Sequence, residues 1–161
     1  MKKQVIIING AGGVGKDTLI SSAAQVFKVR NVSSVELVKQ AALVGGWNGE
    51  KDARGRELLI ALKNAFVIYD DLPMKYCLEQ YKEFQSSDEQ IMFVHIREPQ
   101  EIARFKEKAG AKTLLVVRRD QKKWGQNIDD MCDCYNYDII FNNDLSVEDS
   151  GKRFVEILRA L

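Results

Sequence analysis

The chain has 161 residues, 45% of them hydrophobic, and this length and composition suit one globular domain, residues 1–161, with a single core. Its 24 lysines and arginines nearly balance its 23 aspartates and glutamates, so the net charge of +1 gives no reason to expect nucleic acid or an anionic membrane as a partner. No apolar run approaches the roughly 20 residues that a membrane-spanning helix needs.

The three cysteines, Cys77, Cys132 and Cys134, do not suggest a disulfide framework, so we expect a reducing compartment and place the protein in the cytoplasm. Cys132 and Cys134 are separated by one residue. With one histidine in the chain and no second cysteine pair, a closed zinc site lacks ligands. We therefore expect structural or incidental thiols.

The first element is an apolar, β-branched run over residues 4–9, which predicts a buried strand. Residues 10–18 follow and read Gly-Ala-Gly-Gly-Val-Gly-Lys-Asp-Thr. Apolar residues at helical spacing come next, over residues 19–27. A glycine-rich loop between a strand and a helix is the context that separates a phosphate-binding loop from a chance match.

Gly10, four residues and then Gly15 and Lys16 fit the Walker A spacing. Glycines let several backbone N–H groups surround one anion, and the helix that follows turns its positive end toward it. Lys16 supplies a charge for the outer phosphates, and Thr18 supplies a hydroxyl for Mg²⁺. Asp17 either orients Mg²⁺-bound water or the acceptor oxygen, or complements the start of the helix. The predicted nucleotide-binding residues of the loop are Ala11, Gly12, Gly13, Val14, Gly15, Lys16, Asp17 and Thr18.

The middle third is predominantly helical in pattern. Residues 31–36 give a weak strand signal, residues 37–44 a short helix, and residues 58–69 a longer helical period. A further helix is predicted to begin near residues 70–73, with an aspartate as its N-cap. Residues 66–71 are apolar and end in two aspartates, so a Walker B strand is the alternative there, although the helical period runs through it.

In the last third, strands alternate with helices. Strands are predicted over residues 91–94, 113–117 and 138–141, and helices over residues 99–109 and after a capping box at residues 146–149. The expected fold is α/β, a three-layer P-loop NTPase fold with a mostly parallel five-stranded sheet and helices on both faces. The ligand is expected at the carboxyl ends of the strands, where Asn9 and residues 95–98, 118–120 and 142–144 lie.

The Gly-Lys-Asp-Thr sequence at residues 15–18 resembles the phosphate loop of the phage-type deoxynucleoside monophosphate kinases, and it is similar to the Gly-Lys-Gly-Thr of other nucleoside monophosphate kinases. Three further segments resemble that family in the same order. Residues 54–59 look like its Arg-Glu-Leu-Leu helix, residues 95–101 like its Asp-Val-Arg-Phe-Pro-Asn-Glu segment, and residues 137–143 like its terminal Tyr-Asp-x-x-x-x-Asn strand. The matches span nearly the whole chain.

This resemblance implies ATP with Mg²⁺ as the donor and a nucleoside monophosphate, in particular a deoxynucleotide, as the acceptor. It also implies a helical, acceptor-binding insert over about residues 38–88 and a lid-like segment over about residues 119–136. Arg97 matches the arginine of the family and is expected to hold the acceptor phosphate during transfer. Arg54 is a second candidate for substrate binding, with a solvated helix face as the alternative. Trp47 either stacks on a base or packs under the insert.

A basic cluster after the predicted fourth strand, Arg118, Arg119, Lys122 and Lys123, lies where small P-loop kinases carry a lid arginine. We assign Arg119 a catalytic role in neutralising the transferring phosphate, with solvated surface as the alternative. Asn143 is placed against the adenine, with a strand-end turn as the alternative.

The chain departs from the family at His95, where an aspartate is expected, and neutral histidine is a poor Mg²⁺ ligand. Either Asp17 or Glu98 substitutes, or catalysis is impaired and the chain is a nucleotide-binding regulator; His95 as a packing residue is a further alternative. A kinase for another small metabolite is the other enzymatic reading. The expected partners are small-molecule nucleotides, without nucleic acid or membrane, and the oligomeric state is open, with a homodimer among the options.

Overall fold

A five-stranded, entirely parallel sheet lies between layers of helices in the computed structural model, which describes residues 2–119 and 135–161. In chain order the elements are β1 (Gln4–Asn9), α1 (Lys16–Ala24), β2 (Val29–Ser33), α2 (Glu36–Val44), α3 (Ala53–Asp70), α4 (Leu72–Ser86), β3 (Ile91–His95), α5 (Pro99–Ala109), β4 (Lys112–Val117), β5 (Ile139–Asn142) and α6 (Val147–Ala160). The strand order is β2-β3-β1-β4-β5. The predicted α/β fold is confirmed.

The central strand β1 is apolar over residues 5–8 because both of its faces are covered. Ile6 and Ile8 belong to the core on the side of α1 and α6, and Val5 and Ile7 to the core on the side of α4 and α5. Successive side chains of a strand point to opposite faces, so one run of β-branched residues fills two cores.

The bounds of β2 to β5 differ from the prediction, by one residue at one or both ends in β3 to β5 and by more in β2. The edge strand β2 covers residues 29–33 rather than 31–36, and its signal is weak because Arg30 interrupts it. The guanidinium of Arg30 is accommodated at the edge by ion pairs with Glu83 and Glu89. The last strand begins one residue later than predicted, because the Asp138 carboxylate accepts hydrogen bonds from the backbone N–H and the hydroxyl of Thr113.

The Walker B alternative at residues 66–71 is wrong, because residues 66–70 form the end of α3. Asp71 then adopts a left-handed conformation (φ 49°) between α3 and α4. It occupies the predicted N-cap position of α4, but its carboxylate makes no side-chain capping hydrogen bond and pairs with Arg104 instead. Ser146 caps α6 as predicted: its hydroxyl accepts a hydrogen bond from the Asp149 N–H and donates one to the Asp149 carboxylate, which is one half of the predicted capping box.

The predicted insert over residues 38–88 contains most of α2 and all of α3 and α4, which together form the connection between β2 and β3. Helix α4 packs on the sheet through buried Met74, Cys77 and Phe84. Most of the predicted lid, residues 120–134 with Lys122, Lys123, Cys132 and Cys134, lies outside the described residues. Among the described helices, none is both long enough and apolar enough to cross a bilayer.

Candidate functional site

The glycine loop between β1 and α1 has a conformation that other residues would strain. Gly10, Gly13 and Gly15 have φ values of +151°, +81° and +93°. A Cβ on Gly10 would lie 2.5 Å from the Val116 carbonyl oxygen, whereas a Cβ on Gly12 would meet nothing within 4 Å. The loop is therefore packed against β4 on one side and open on the side of Gly12, where an anion has room to approach the backbone N–H groups.

Lys16 lies at the start of α1 and reaches across this loop. Its ammonium donates hydrogen bonds to the carbonyl oxygens of Gly10, at 2.6 Å, and Ala11, at 3.0 Å. Asp17 and Thr18 follow it on the exposed side of the first helical turn. The ammonium, the hydroxyl and the positive end of α1 thus face the same open side, which is the charge pattern that a polyphosphate requires.

Asn143, just after β5, supports the loop from below. Its side-chain N–H donates a hydrogen bond to the Val14 carbonyl oxygen at 2.6 Å, and its backbone N–H donates to Val117 at 2.8 Å. A Cβ on Gly15 would lie 2.5 Å from the same amide nitrogen. Sequence reasoning placed Asn143 against the adenine; the structure places its side-chain amide against the backbone of the phosphate loop.

A cavity of about 80 Å³ lies beside the start of α1. Its lining residues are Gly15, Thr18, Leu19, Arg118, Asn143, Leu145, Val147 and Ser150. Leu145 and Val147 give it an exposed apolar side, and Arg118 adds a guanidinium. A cavity of this size does not enclose a nucleobase, but its exposed apolar side chains and the nearby guanidinium offer a surface on which a base can stack.

His95 ends β3 on the other side of the loop. Burial, together with the positive charges of Lys16, Arg97 and Lys39, lowers the pKa of His95 to about 4, against the opposing charge of Asp17. The imidazole is therefore neutral near pH 7. Three cationic side chains and one carboxylate thus act on a single ring at the carboxyl end of the sheet.

Asn31 orients this ring. The Asn31 side-chain oxygen lies 2.8 Å from Nε2 of His95, and an amide oxygen only accepts, so Nε2–H is the donor. The neutral ring then leaves Nδ1 as an acceptor. The sequence analysis did not identify Asn31 or Lys39 as site residues. The helical period of α2, in which Val38 and Ala42 are buried, could have indicated on which side of the helix Lys39 lies.

Asn9, at the end of β1, joins three segments beneath the site. Its buried side-chain nitrogen donates to the Ile96 carbonyl oxygen at 2.6 Å and to the Tyr137 hydroxyl at 3.0 Å. Ile96 directly precedes Arg97, so this contact fixes the backbone from which the predicted acceptor arginine extends. Asn9 was expected at the edge of the site, but its bridging role was not.

The other predicted site residues lie at the periphery. Arg97 is exposed just after β3, and Arg54 is exposed in the first turn of α3. The side chain of Arg119 is 88% exposed and pairs with Asp144 at 3.0 Å, beside the cavity near α1.

Trp47 packs against the start of α3. Its indole N–H donates to the Glu50 carbonyl oxygen at 2.8 Å, and a Cβ on Gly55 would lie 2.8 Å from the same indole nitrogen. This contact favours packing over base stacking for Trp47. It also explains Gly55, whose Cβ would lie 2.2 Å from the Glu50 oxygen.

No protein-family model matches the chain, and no curated protein matches its sequence. Solved kinase structures do match its fold. A shikimate kinase from Bacteroides thetaiotaomicron is 18% identical with a TM-score of 0.50, and the match covers 97% of this chain and 98% of that one. A sugar kinase from Janibacter is 10% identical with a TM-score of 0.58, covering 99% and 95%. A shikimate kinase from Aquifex aeolicus is 11% identical with a TM-score of 0.51, covering 98% and 97%. At these identities the likeness shows the fold alone: the chain has the three-layer α/β fold of these P-loop kinases.

Proposed function

We propose that the chain is an ATP-dependent phosphotransferase whose acceptor is a nucleoside monophosphate, in particular a deoxynucleotide. The observation that carries the proposal is the pairing of two cationic sites across the carboxyl end of the sheet. One is the phosphate loop with Lys16, and the other is formed by Lys39 and Arg97 around His95; the charge of Lys16 also acts on His95, so the two sites adjoin there. The first suits the donor polyphosphate, and the second suits an acceptor that is itself an anion.

The donor side fits ATP with Mg²⁺. The open face at Gly12 admits phosphates, Lys16 neutralises them, and the apolar surface beside Arg118 receives the base. Thr18 would hold Mg²⁺ through its hydroxyl, and the ion would supply charge neutralisation on the transferring phosphate. Phosphoryl transfer needs alignment and charge neutralisation more than covalent chemistry, and these groups supply both on the donor side.

The acceptor side favours a phosphorylated substrate over a neutral one. The kinases that the chain resembles carry an aspartate at this position; the neutral ring of His95 adds no negative charge beside the acceptor phosphate. Arg97 and Lys39 supply positive charge for that phosphate, with Arg54 as a further candidate on the insert. Arg119 is proposed to approach the transferring phosphate from its exposed position after β4.

A second candidate is a kinase for another small metabolite, because the structural neighbours include shikimate and sugar kinases. A nucleotide-binding regulator is a third, because His95 replaces a carboxylate.

The deciding experiment measures ADP release from ATP–Mg²⁺ with each common ribonucleoside and deoxyribonucleoside monophosphate, and with shikimate and simple sugars, beside a Lys16→Ala control. Turnover with a monophosphate that is lost in the control supports the proposal. Turnover with non-nucleotides alone, or equal turnover in the control, contradicts it.

A further inference from the structure

Lys63 of α3 lies between two carboxylates of α5. Its ammonium pairs with Glu98 and, at 3.1 Å, with Glu101. The side chains of Lys63 and Glu101 are only 13% and 15% exposed. An exposed ion pair contributes little, but removing one partner of a largely buried pair leaves an uncompensated charge and is strongly destabilising. This cluster therefore stabilises the contact between α3 and the start of α5.

Helix α3 has few other anchors in the core. Gly55 is the only residue of this fully described helix that is completely buried, and Ile68 and Tyr69 are more than 80% exposed. A helix whose apolar residues remain so exposed is held weakly by hydrophobic burial. Besides its packing against α2 and α4, its position depends on polar contacts with α5, which include the pair of Lys63 with Glu98 and, at the C-cap, the pair of Asp71 with Arg104.

The α5 end of the cluster is next to the predicted acceptor arginine. Glu98 occupies the N-cap position of α5 and directly follows Arg97. Lys63 therefore joins the helix that carries Arg54 to the corner that carries Arg97. The cluster spans the two sides of the region in which the acceptor is expected.

We propose that Lys63 is a positioning residue, which holds α3 against the start of α5 and so fixes the distance between the two sides of the acceptor site. This inference rests on the proposed function for its effect on catalysis, but the docking of α3 is measurable without any activity. It assigns Lys63 no contact with the substrate.

The electrostatics of the cluster support this role. One ammonium faces two carboxylates, and the buried thiol of Cys77 in α4 lies within their influence. Burial and the neighbouring Glu98 raise the pKa of Glu101 to about 7, against the attraction of Lys63. Burial would raise the pKa of Glu98, but hydrogen bonds with Glu101 and Lys63 lower it. The docked cluster thus keeps Glu98 ionised and Glu101 protonated, so docking is strongest near the ordinary pKa of a glutamate. It weakens as the pH rises toward 7, where Glu101 loses its proton, and as the pH falls further, where Glu98 gains one.

The test combines kinetics with hydrogen exchange on the full chain. Lys63→Met is expected to raise the KM for the best monophosphate of the panel about tenfold or more, with the KM for ATP unchanged. Lys63→Arg, which keeps the charge, is expected to restore most of the loss. Lys75→Met is the matched control, because Lys75 pairs with Asp70 at the α3–α4 corner and does not reach α5.

Exchange of the α3 amides, followed by mass spectrometry and corrected for intrinsic rates, is expected to accelerate about tenfold in Lys63→Met, while β1 amides are unaffected. In the native chain the α3 protection should fall from pH 5 to pH 7.5, and Glu101→Gln should remove that dependence. If Lys63→Met does not fold, Glu98→Gln and Lys63→Arg are compared in the same way.

Unchanged α3 exchange in Lys63→Met overturns the proposal whatever the activity. Faster α3 exchange with an unchanged acceptor KM overturns the positioning role. If the native chain phosphorylates nothing in the panel, the proposed function fails, and the exchange result alone decides whether Lys63 docks α3.

Discussion

The side-chain amide of Asn143 donates a hydrogen bond to the carbonyl oxygen of Val14, across 129 residues of sequence, and the contact is buried. The last strand thereby holds the phosphate loop in the shape that its glycines permit. The contact also sets a steric limit, because a Cβ on Gly15 would lie 2.5 Å from the same amide nitrogen. The side chain of Asn143 therefore fits against the phosphate loop only while residue 15 is glycine.

Asn143→Ala should weaken ATP–Mg²⁺ binding about tenfold, because the Val14 carbonyl is left buried without its donor and the loop loses its support. Isothermal titration of ATP–Mg²⁺ measures the effect. Asn64→Ala is the control, since Asn64 is exposed on α3, away from the phosphate loop. Equal affinities of the two variants would show that Asn143 does not support the loop.

Two glycine substitutions should separate folding from binding. Gly15→Ala should lower the free energy of unfolding by about 1–2 kcal/mol or more, because φ is +93° and the new Cβ meets Asn143. Gly12→Ala meets no protein atom, so it should leave stability nearly unchanged but place a methyl group where phosphate is expected. Thermal unfolding and ATP titration of both variants give the comparison; tight ATP binding by Gly12→Ala would contradict the placement of the phosphates.

Those features of the site that depend only on residues close together in the sequence were predictable. The strand, the glycine loop and the helix at residues 4–24 are encoded locally, by β-branched residues, by glycines and by helical spacing. The end of α5 was equally local, because Gly110 adopts a left-handed conformation (φ 60°) there.

Contacts between distant segments were not predictable from one sequence. The pairs formed by Asn9 with Ile96, and by Asn31 with His95, join residues 87 and 64 positions apart. Periodicity indicates which face of an element is buried but not which residue it meets. The replacement of an aspartate by His95 was visible in the sequence, but the burial and the neighbouring cations that keep its ring neutral became apparent only in the fold.

Lys39→Met should raise the KM for the monophosphate acceptor about tenfold while leaving the KM for ATP nearly unchanged, because the charge of Lys39 acts at His95, on the acceptor side. Steady-state kinetics with each substrate varied in turn separate the two constants. Lys152→Met is the control, since Lys152 forms an exposed pair with Glu148 on α6. A rise in the KM for ATP instead would place Lys39 on the donor side.

The pH dependence of stability should carry the signature of His95. Its pKa in the folded chain, about 4, lies below the ordinary value of 6.5, so the native state excludes a proton that the unfolded chain binds. The stabilisation is complete above pH 6.5 and is lost as the pH falls toward 4. Denaturant unfolding at several pH values should show this loss in the native chain and not in His95→Gln, and the difference between the two cancels the contributions of other groups. Parallel curves would contradict a neutral, buried His95.

His95→Asp discriminates between the proposed kinase and the regulator. In this chain a carboxylate at position 95 would compete with the acceptor phosphate for the charges of Lys39 and Arg97, so the proposal expects a higher acceptor KM and no gain in kcat. His95→Asn, which stays neutral, should have the smaller effect on that KM. If the native chain binds ATP without turnover and His95→Asp creates turnover, the missing carboxylate was the defect, and the chain is a nucleotide-binding regulator.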